Sequence, residues 1–441
     1  MSQSLSLTQA FRNLSGLESV DEEEKIKVSD ILLMYFLLAL SGNPFFNLHY
    51  DLLVACSIVI PLYYIFTNSY KKVTFNTVFI FAFLLGYEIM HSIVYSLDYS
   101  LTIFKLSLVL LLGFATVQIL GTKFVRVLTA TMVIIILFSF VFTILSYIPG
   151  IGTKLYALAE QLFPIPRGFK DFTTPTLLIY TFHPQFFSGE LDYVRNAGIF
   201  WESGAFAVFL NLNLYLHYIT RRIATVSDLF DPTSVLIMVA ILTTTSTMGF
   251  LSLMAILTFF TFQLRTALKY VFFLLVAGMS YISFVSVDFL GDKIATQLEE
   301  SDEKNNRFGA FLMDWEDIKK RPVIGSSRRI EVIFGTDQFS KKVRRPNGFS
   351  NFLREYGLIY FSAYFIMIYY SNKRIFYYHH YYNKFSYAFF GVVLLWLLSF
   401  SEIIFDLPFF KAIIFLAMVY IPQQNYSEPE EMLLEREIET V

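Results

Sequence analysis

The chain has a single cysteine, Cys56, which excludes any intrachain disulfide. It also lacks a glycine-rich phosphate loop ending in Lys-Ser/Thr, an HExxH pair, paired CxxC motifs and GxSxG. ATP hydrolysis, zinc chemistry and serine-hydrolase chemistry therefore lack their required groups. Of the six histidines, His49, His91 and His217 fall in or at the ends of apolar runs. His183, His379 and His380 lie in connections, and none stands at metal-ligand spacing from another, so no metal and no cofactor are expected. Charge is sparse as well, at 16% of 441 residues. The net −2 says little, because the charges collect in a few segments, and no nucleic-acid partner is expected.

Apolar side chains fill what is left. Hydrophobic residues make up 55% of the chain and aromatics 18%, which predicts an integral membrane protein. Crossing the hydrocarbon takes roughly twenty apolar residues. Candidate spans fall near 29–47, 49–67, 73–95, 101–120, 124–147, 198–219, 233–246, 248–263, 267–288, 352–371, 385–401 and 403–421. The expected fold is all-α and polytopic, with about twelve transmembrane helices. The segment 233–263 reads either as one long tilted helix or as two short ones. Two crossings place Lys71–Lys72, Lys123 with Arg126, Arg221–Arg222, Arg265 with Lys269, and Lys373–Arg374 with Lys384 all on the cytoplasmic side, so the positive-inside rule favours two.

That count predicts a cytoplasmic tail at 1–28, a membrane domain at 29–421 and a second cytoplasmic tail at 422–441. The first thirty residues lack the basic end, short apolar core and small-residue site of a signal peptide. The two longest connections, 148–197 and 289–351, fall on the extracytoplasmic side, where the functional face is expected.

Three stretches carry candidate chemistry. In Arg195-Asn196-Ala197-Gly198-Ile199-Phe200-Trp201-Glu202, a cation and a carboxylate stand where the first long connection enters a span. Such groups are costly there unless used or paired. The plainer reading anchors Arg195 at headgroups and pairs Glu202 with a basic neighbour; the functional one makes them an anion contact and a site carboxylate. In the second long connection, apolar residues 308, 311, 312 and 315 recur at helical spacing. They predict a short amphipathic helix on the membrane, with Arg307 at its start. The basic block that follows, including Arg328, Arg329, Arg344 and Arg345, suits an anionic ligand or anionic lipid headgroups.

Taken in order, RNAGIFWESGAFAVFL, TTTSTMGFLSLMAI, NNRFGAFLMDWEDIKKRPVIGSS and PNGFSNFLREYGLIYF resemble the O-antigen polymerase and O-antigen ligase superfamily of bacterial envelopes. The family pattern falls on Arg195, Gly198, Phe200 and Glu202, on Ser246, on Arg307 and Trp315, and on Pro322 and Gly325. Two positions depart from it. Ser246-Thr247 stands where the family often has Ser-Arg, and Ser350-Asn351 where ligases tend to carry His-Asn. The second departure removes the ligase's proposed base and favours the polymerase branch.

The resemblance implies a metal-independent glycosyltransferase of the bacterial inner membrane. It would transfer an undecaprenyl-pyrophosphate-linked oligosaccharide to an acceptor sugar hydroxyl on the outer face, with membrane lipids and a chain-length regulator as further partners. Fixed cations would stabilise the departing pyrophosphate. Arg195, Arg307 and Glu202 are the expected catalytic residues, and Arg328, Arg329, Arg344, Arg345, Asn351 and Trp315 the substrate-binding ones. Glu202 is the first candidate for the base, with Asp314 and Glu355 behind it. Ligation to a lipid A core is the alternative within the family, and a polysaccharide or lipid-linked oligosaccharide transporter the alternative outside it.

Overall fold

A computed structural model describes residues 25–67, 74–96, 98–163, 175–189, 192–221, 223–264, 269–271, 274, 278, 307–328, 347–380 and 382–420. Arg329, Arg344, Arg345 and most of the expected span 267–288 lie outside these residues, as does the side chain of Arg307. The described chain is mostly helical. In order, its elements are α1 (Val28–Gly42), α2 (Pro44–Leu48), α3 (Tyr50–Thr67), α4 (Phe75–Tyr95), α5 (Ser100–Leu120), α6 (Phe124–Tyr147) and α7 (Ile151–Leu162). A hairpin of β1 (Thr176–Leu177) and β2 (Tyr180–Thr181) follows, then α8 (Pro184–Phe187), α9 (Ser203–Ile219), α10 (Val226–Leu229), α11 (Pro232–Thr243) and α12 (Thr247–Phe262). The last elements are α13 (Arg307–Lys320), α14 (Gly348–His380), α15 (Phe385–Ser399) and α16 (Pro408–Ala412), the last continued by a 3-10 turn over Ile413–Met418.

Two helical stretches are long and apolar enough to cross a membrane, α4 and the run from Ser100 to Tyr147 that joins α5 to α6. Gly121, with φ of 56°, breaks that run and separates α5 from α6. Side-chain caps set other boundaries. Asn43 accepts from Phe45 N and starts α2, Asp231 accepts from Thr233 N ahead of Pro232 and starts α11, and Ser246 accepts from Gly249 N and starts α12. The segment 233–263 is accordingly two helices, interrupted at Thr244–Ser246, where Thr245 has φ of 48°.

Contacts between elements sort into two ends. At one end Lys123 Nζ meets Asp30 at 2.8 Å, and Tyr420 donates to Thr122 O. Tyr378 packs on Tyr420, His380 bonds Ile219 O, and Arg221 pairs with Asp231. At the other end Asn43 donates to Ile199 O, Thr181 N donates to Gly198 O, and the Ile324–Ser327 turn lies against Tyr87, His91, Tyr95 and Tyr99. Helices α5 and α6 each connect the two ends, as does α15.

The core between the ends is aromatic. Tyr356 and Tyr360 stack at 4.2 Å on α14, with Phe352 and Tyr364 continuing the same face at helical spacing. Large apolar side chains also point outward: Phe66, Phe75 and Leu101 are 79%, 81% and 82% exposed. The helix expected near 307–315 forms as α13. Asp314, Asp317 and Ile318 face the protein, while Leu312 and Trp315 are 45% and 43% exposed. Asp314 has a partner inside, Arg354, which answers its buried charge.

Candidate functional site

The RNAGIFWESG segment is fixed by bonds to three neighbouring elements. Asn196 N donates to Thr243 O, and its side-chain amide donates to Thr243 Oγ1 on α11 and Ser139 Oγ on α6. Gly198 N donates back to Asn196 Oδ1, and Gly198 O accepts from Thr181 of the hairpin. The turn has φ of 55° at Gly198, and a Cβ there would lie 2.9 Å from the Phe206 ring, so glycine is required on both counts. This frame holds Arg195 with its Nε donating to Thr245 Oγ1 at 3.0 Å and its Nη2 to Thr245 O at 3.5 Å.

Glu202 is the N-cap residue of α9 but makes no side-chain cap bond, and it is exposed. A second carboxylate approaches it. A Cβ built on Gly204 would lie 2.6 Å from Glu402 Oε1 and 3.6 Å from Glu202 Oε1, so both carboxylates crowd one glycine in the first turn of α9. Glu402 is buried, and its backbone carbonyl packs against Gly348 at the start of α14. His183 completes this region. It is 8% exposed, and its Nδ1 has no hydrogen-bond partner among the described residues. Burial first, and then the nearby Arg195, push its imidazole down to about 4, against the opposing pull of Glu202. His183 is therefore neutral near pH 7, in range of both Arg195 and Glu202.

A second cluster is built on a break in α14. Gly357, with φ of 70°, interrupts the helix, and the Pro322–Ser327 turn docks into the gap. Ser326 N and Ser327 N donate to Arg354 O and Glu355 O, and Leu358 N donates to Pro322 O. Backbones meet so closely at Gly325 and Gly357 that a Cβ on either would collide with main-chain atoms of the other strand of the clamp. The Pro322 and Gly325 of the sequence motif thus have a structural task, which is to seat the turn that carries Arg328.

Arg328 enters the bundle among acids. Its Nη2 lies 2.7 Å from Asp406 and 3.3 Å from Glu88, its Nε lies 4.0 Å from Glu355, and its guanidinium stacks over Tyr356. Lys411, fully buried, reaches Asp406 at 3.4 Å and faces the rings of Phe352, Tyr360 and Tyr364. Alongside, Arg354 pairs with Asp314 and approaches Glu355 at 3.7 Å, while Ser350 donates to Asp314. Tyr356 donates to Glu88 Oε1 at 2.8 Å.

The expected site residues therefore divide. Arg195 and Glu202 stand at the same end of the molecule, near His183 and Glu402. Arg328 and Asn351 belong to the second cluster, where Asn351 is buried and donates to Glu355 Oε1 at 2.9 Å. Asp314 is committed to Arg354 and Ser350, and Trp315 stacks on Phe311 at the surface. The backbone of Arg307 opens α13, and Arg329, Arg344 and Arg345 fall outside the described residues. Glu88, Arg354, Asp406, Lys411, Glu402 and His183 were not among the residues expected at the site. For Glu88 and Lys411 the signal was present, since a charge inside an apolar run needs a partner. Among the described residues no group of three or more His, Cys, Asp or Glu converges as a metal site.

Comparison with models of known protein families, with curated proteins and with solved structures gives no match.

Proposed function

We propose that this chain is a membrane-embedded polymerase that transfers a lipid-pyrophosphate-linked glycan to an acceptor sugar hydroxyl, at the end of the molecule that carries Arg195. The observation that carries this reading is the convergence of Arg195, Glu202 and His183 where α9 begins: a fixed cation, an exposed carboxylate and a neutral imidazole on one frame. Arg195 suits the charge that grows on the departing pyrophosphate, and Glu202 or His183 suits the hydroxyl's proton. Arg307, at the start of α13, is the next candidate cation. The exposed Leu312 and Trp315 give α13 an apolar face that suits a bilayer surface.

Membrane embedding is favoured by the outward apolar side chains of α3 to α5 and by the two long apolar helical stretches. Lys123, Arg126, Arg221 and Lys384 lie at the opposite end from Arg195, which under the positive-inside rule supports an extracytoplasmic Arg195 end. About twelve crossings of a bacterial inner membrane remain the proposed topology. The resemblance to O-antigen polymerases supports the substrate class, and the absence of the ligase's His-Asn pair favours polymerase over ligase. In a gel of surface polysaccharide, a deletion strain complemented with Arg195→Ala should yield single-repeat glycan only. Full-length polymer from that variant at normal protein level would overturn the assignment, and uncapped lipid A core alone would indicate ligase.

One observation favours the transporter reading. Glu88 and Lys411, from segments expected to span, are fully buried and share a network with Arg328 and Asp406, and α14 is broken beside them. Ionisable groups next to a broken helix are the usual make-up of a transport site. Substrate flux into liposomes that is lost in Lys411→Met, with polymer length unaltered, would move the assignment to that class.

A further inference from the structure

Among the described residues, three that are not glycine have positive φ: Ser96, Thr245 and Ser327. All three lie at the end of the molecule that holds the candidate site. Ser96 ends α4, and a short serine is tolerated at such a C-cap. Ser327 precedes Arg328 and is locked by its bonds to Glu355 O and Tyr99. Thr245 is the most unfavourable of the three, because a β-branched side chain at φ of 48° crowds its own backbone. Strain of this kind persists only where its surroundings hold it in place, and it concentrates at functional sites.

What the strain achieves is visible in the hydrogen bonds. The run Thr243-Thr244-Thr245-Ser246 turns α11 into α12, and each residue has a separate task. Thr243 holds Asn196, Thr244 Oγ1 accepts from Ser246 N, and Ser246 caps α12. Thr245 alone presents both its hydroxyl and its carbonyl to one guanidinium, that of Arg195. Its hydroxyl is aimed by donating to Thr244 O at 2.8 Å, which leaves the oxygen's lone pairs for Arg195 Nε. Two acceptors on one strained residue fix both the position and the plane of the arginine fork.

We propose that Thr245 is a positioning residue for Arg195, held in a strained conformation so that the guanidinium meets the substrate's pyrophosphate in one orientation. The proposal rests on the polymerase reading for its ligand, and not for its geometry. Glycine at 245 relieves the strain and removes the hydroxyl. Asparagine tolerates positive φ and keeps a side-chain acceptor.

The test uses the full chain purified in detergent, with inorganic pyrophosphate as the probe. Thr245→Gly is expected to raise the melting temperature yet weaken pyrophosphate binding about tenfold or more, since a misplaced binding group loses on that order. Thr245→Asn should also melt higher, while binding close to wild type. The double variant with Arg195→Ala should bind no worse than Arg195→Ala alone, because the two residues act as one unit. Additive losses, wild-type binding by Thr245→Gly, or a lower melting temperature for that variant overturns the inference. So does a wild-type chain that binds no pyrophosphate, as Thr245 would then orient Arg195 toward no anion. Coupled losses in binding together with full-length polymer from Thr245→Gly cells would uphold the inference and sink the polymerase reading instead.

Discussion

Arg195 and Arg328 were both expected to meet an anion, the first on the family pattern and the second on the charge of its block, and the molecule treats them differently. Arg195 is oriented by the neutral oxygens of one strained threonine, at the rim of a helix entry. Arg328 is driven into the bundle and meets three carboxylates, Glu88, Glu355 and Asp406. An arginine answered by acids inside the protein has its charge already committed, so an anionic ligand would have to displace those acids. Basic residues in a membrane protein can therefore bind a ligand or close the fold, and their partners tell the two roles apart.

The largest effect that separates the two roles is on stability. Arg328→Ala leaves the buried Glu88 without its counter-charge and Asp406 with Lys411 alone; breaking a buried pair typically costs about 3–5 kcal/mol, and the partial exposure of Arg328 and Asp406 puts this one near the lower end. A large drop in melting temperature, or failure to accumulate in the membrane, is expected. Normal melting with loss of polymer would place Arg328 with Arg195 as a ligand contact and erase the contrast.

Gly325→Ala should come next. A Cβ there would collide with the Glu355 carbonyl, and φ of 79° is unfavourable for alanine, so a cost of roughly 2–4 kcal/mol is expected. Because Gly325 seats the turn carrying Arg328, its loss should mimic Arg328→Ala in thermal melts. A melt like wild type would show that the Pro322–Arg328 turn does not depend on the clamp at Gly357.

How far the sequence reaches follows the same division. Two helices within 233–263 were favoured by where the basic connections fall, and the helical class, α13 and the placing of Arg195 with Glu202 at one end were legible because periodicity and adjacency are local. The clamp was not: Gly325 and Gly357 are 32 positions apart, and nothing local says that one docks on the other. Which residues of α13 meet the protein was not legible either, since Asp314 faces inward toward Arg354 on another helix. His183 looked like a loop histidine, and its nearness to Arg195 and Glu202 comes from the hairpin bond between Thr181 and Gly198.

Arg195→Ala should fall on the other side of the comparison. It removes the hydrogen bonds to Thr245, each worth about 1 kcal/mol, and lies outside the cluster of Glu88 and Asp406, so the stability loss should be smaller than that of Arg328→Ala. Polymer formation should nonetheless be lost. A melting drop as large as that of Arg328→Ala would mean that Arg195 also closes the fold, and the functional contrast would fail.

The smallest expected effect tests whether the Arg195 end is as electrostatically poised as its geometry suggests. His183 is held down at about 4 by burial and then by Arg195, against an ordinary value near 6.5. The unfolded chain therefore binds a proton at His183 in the window where the folded chain does not. The sign follows: this term leaves stability unchanged above about 6.5, lowers it as pH falls toward 4, and is constant below that. With solvent screening at a partly open site, the amplitude should be on the order of 1 kcal/mol. Melting temperatures of the wild type and His183→Gln should run parallel above pH 7 and converge or cross as pH drops to 4, the wild type losing more. Parallel curves across the whole range would mean that burial and Arg195 do not hold His183 neutral, and would remove it from the candidate bases.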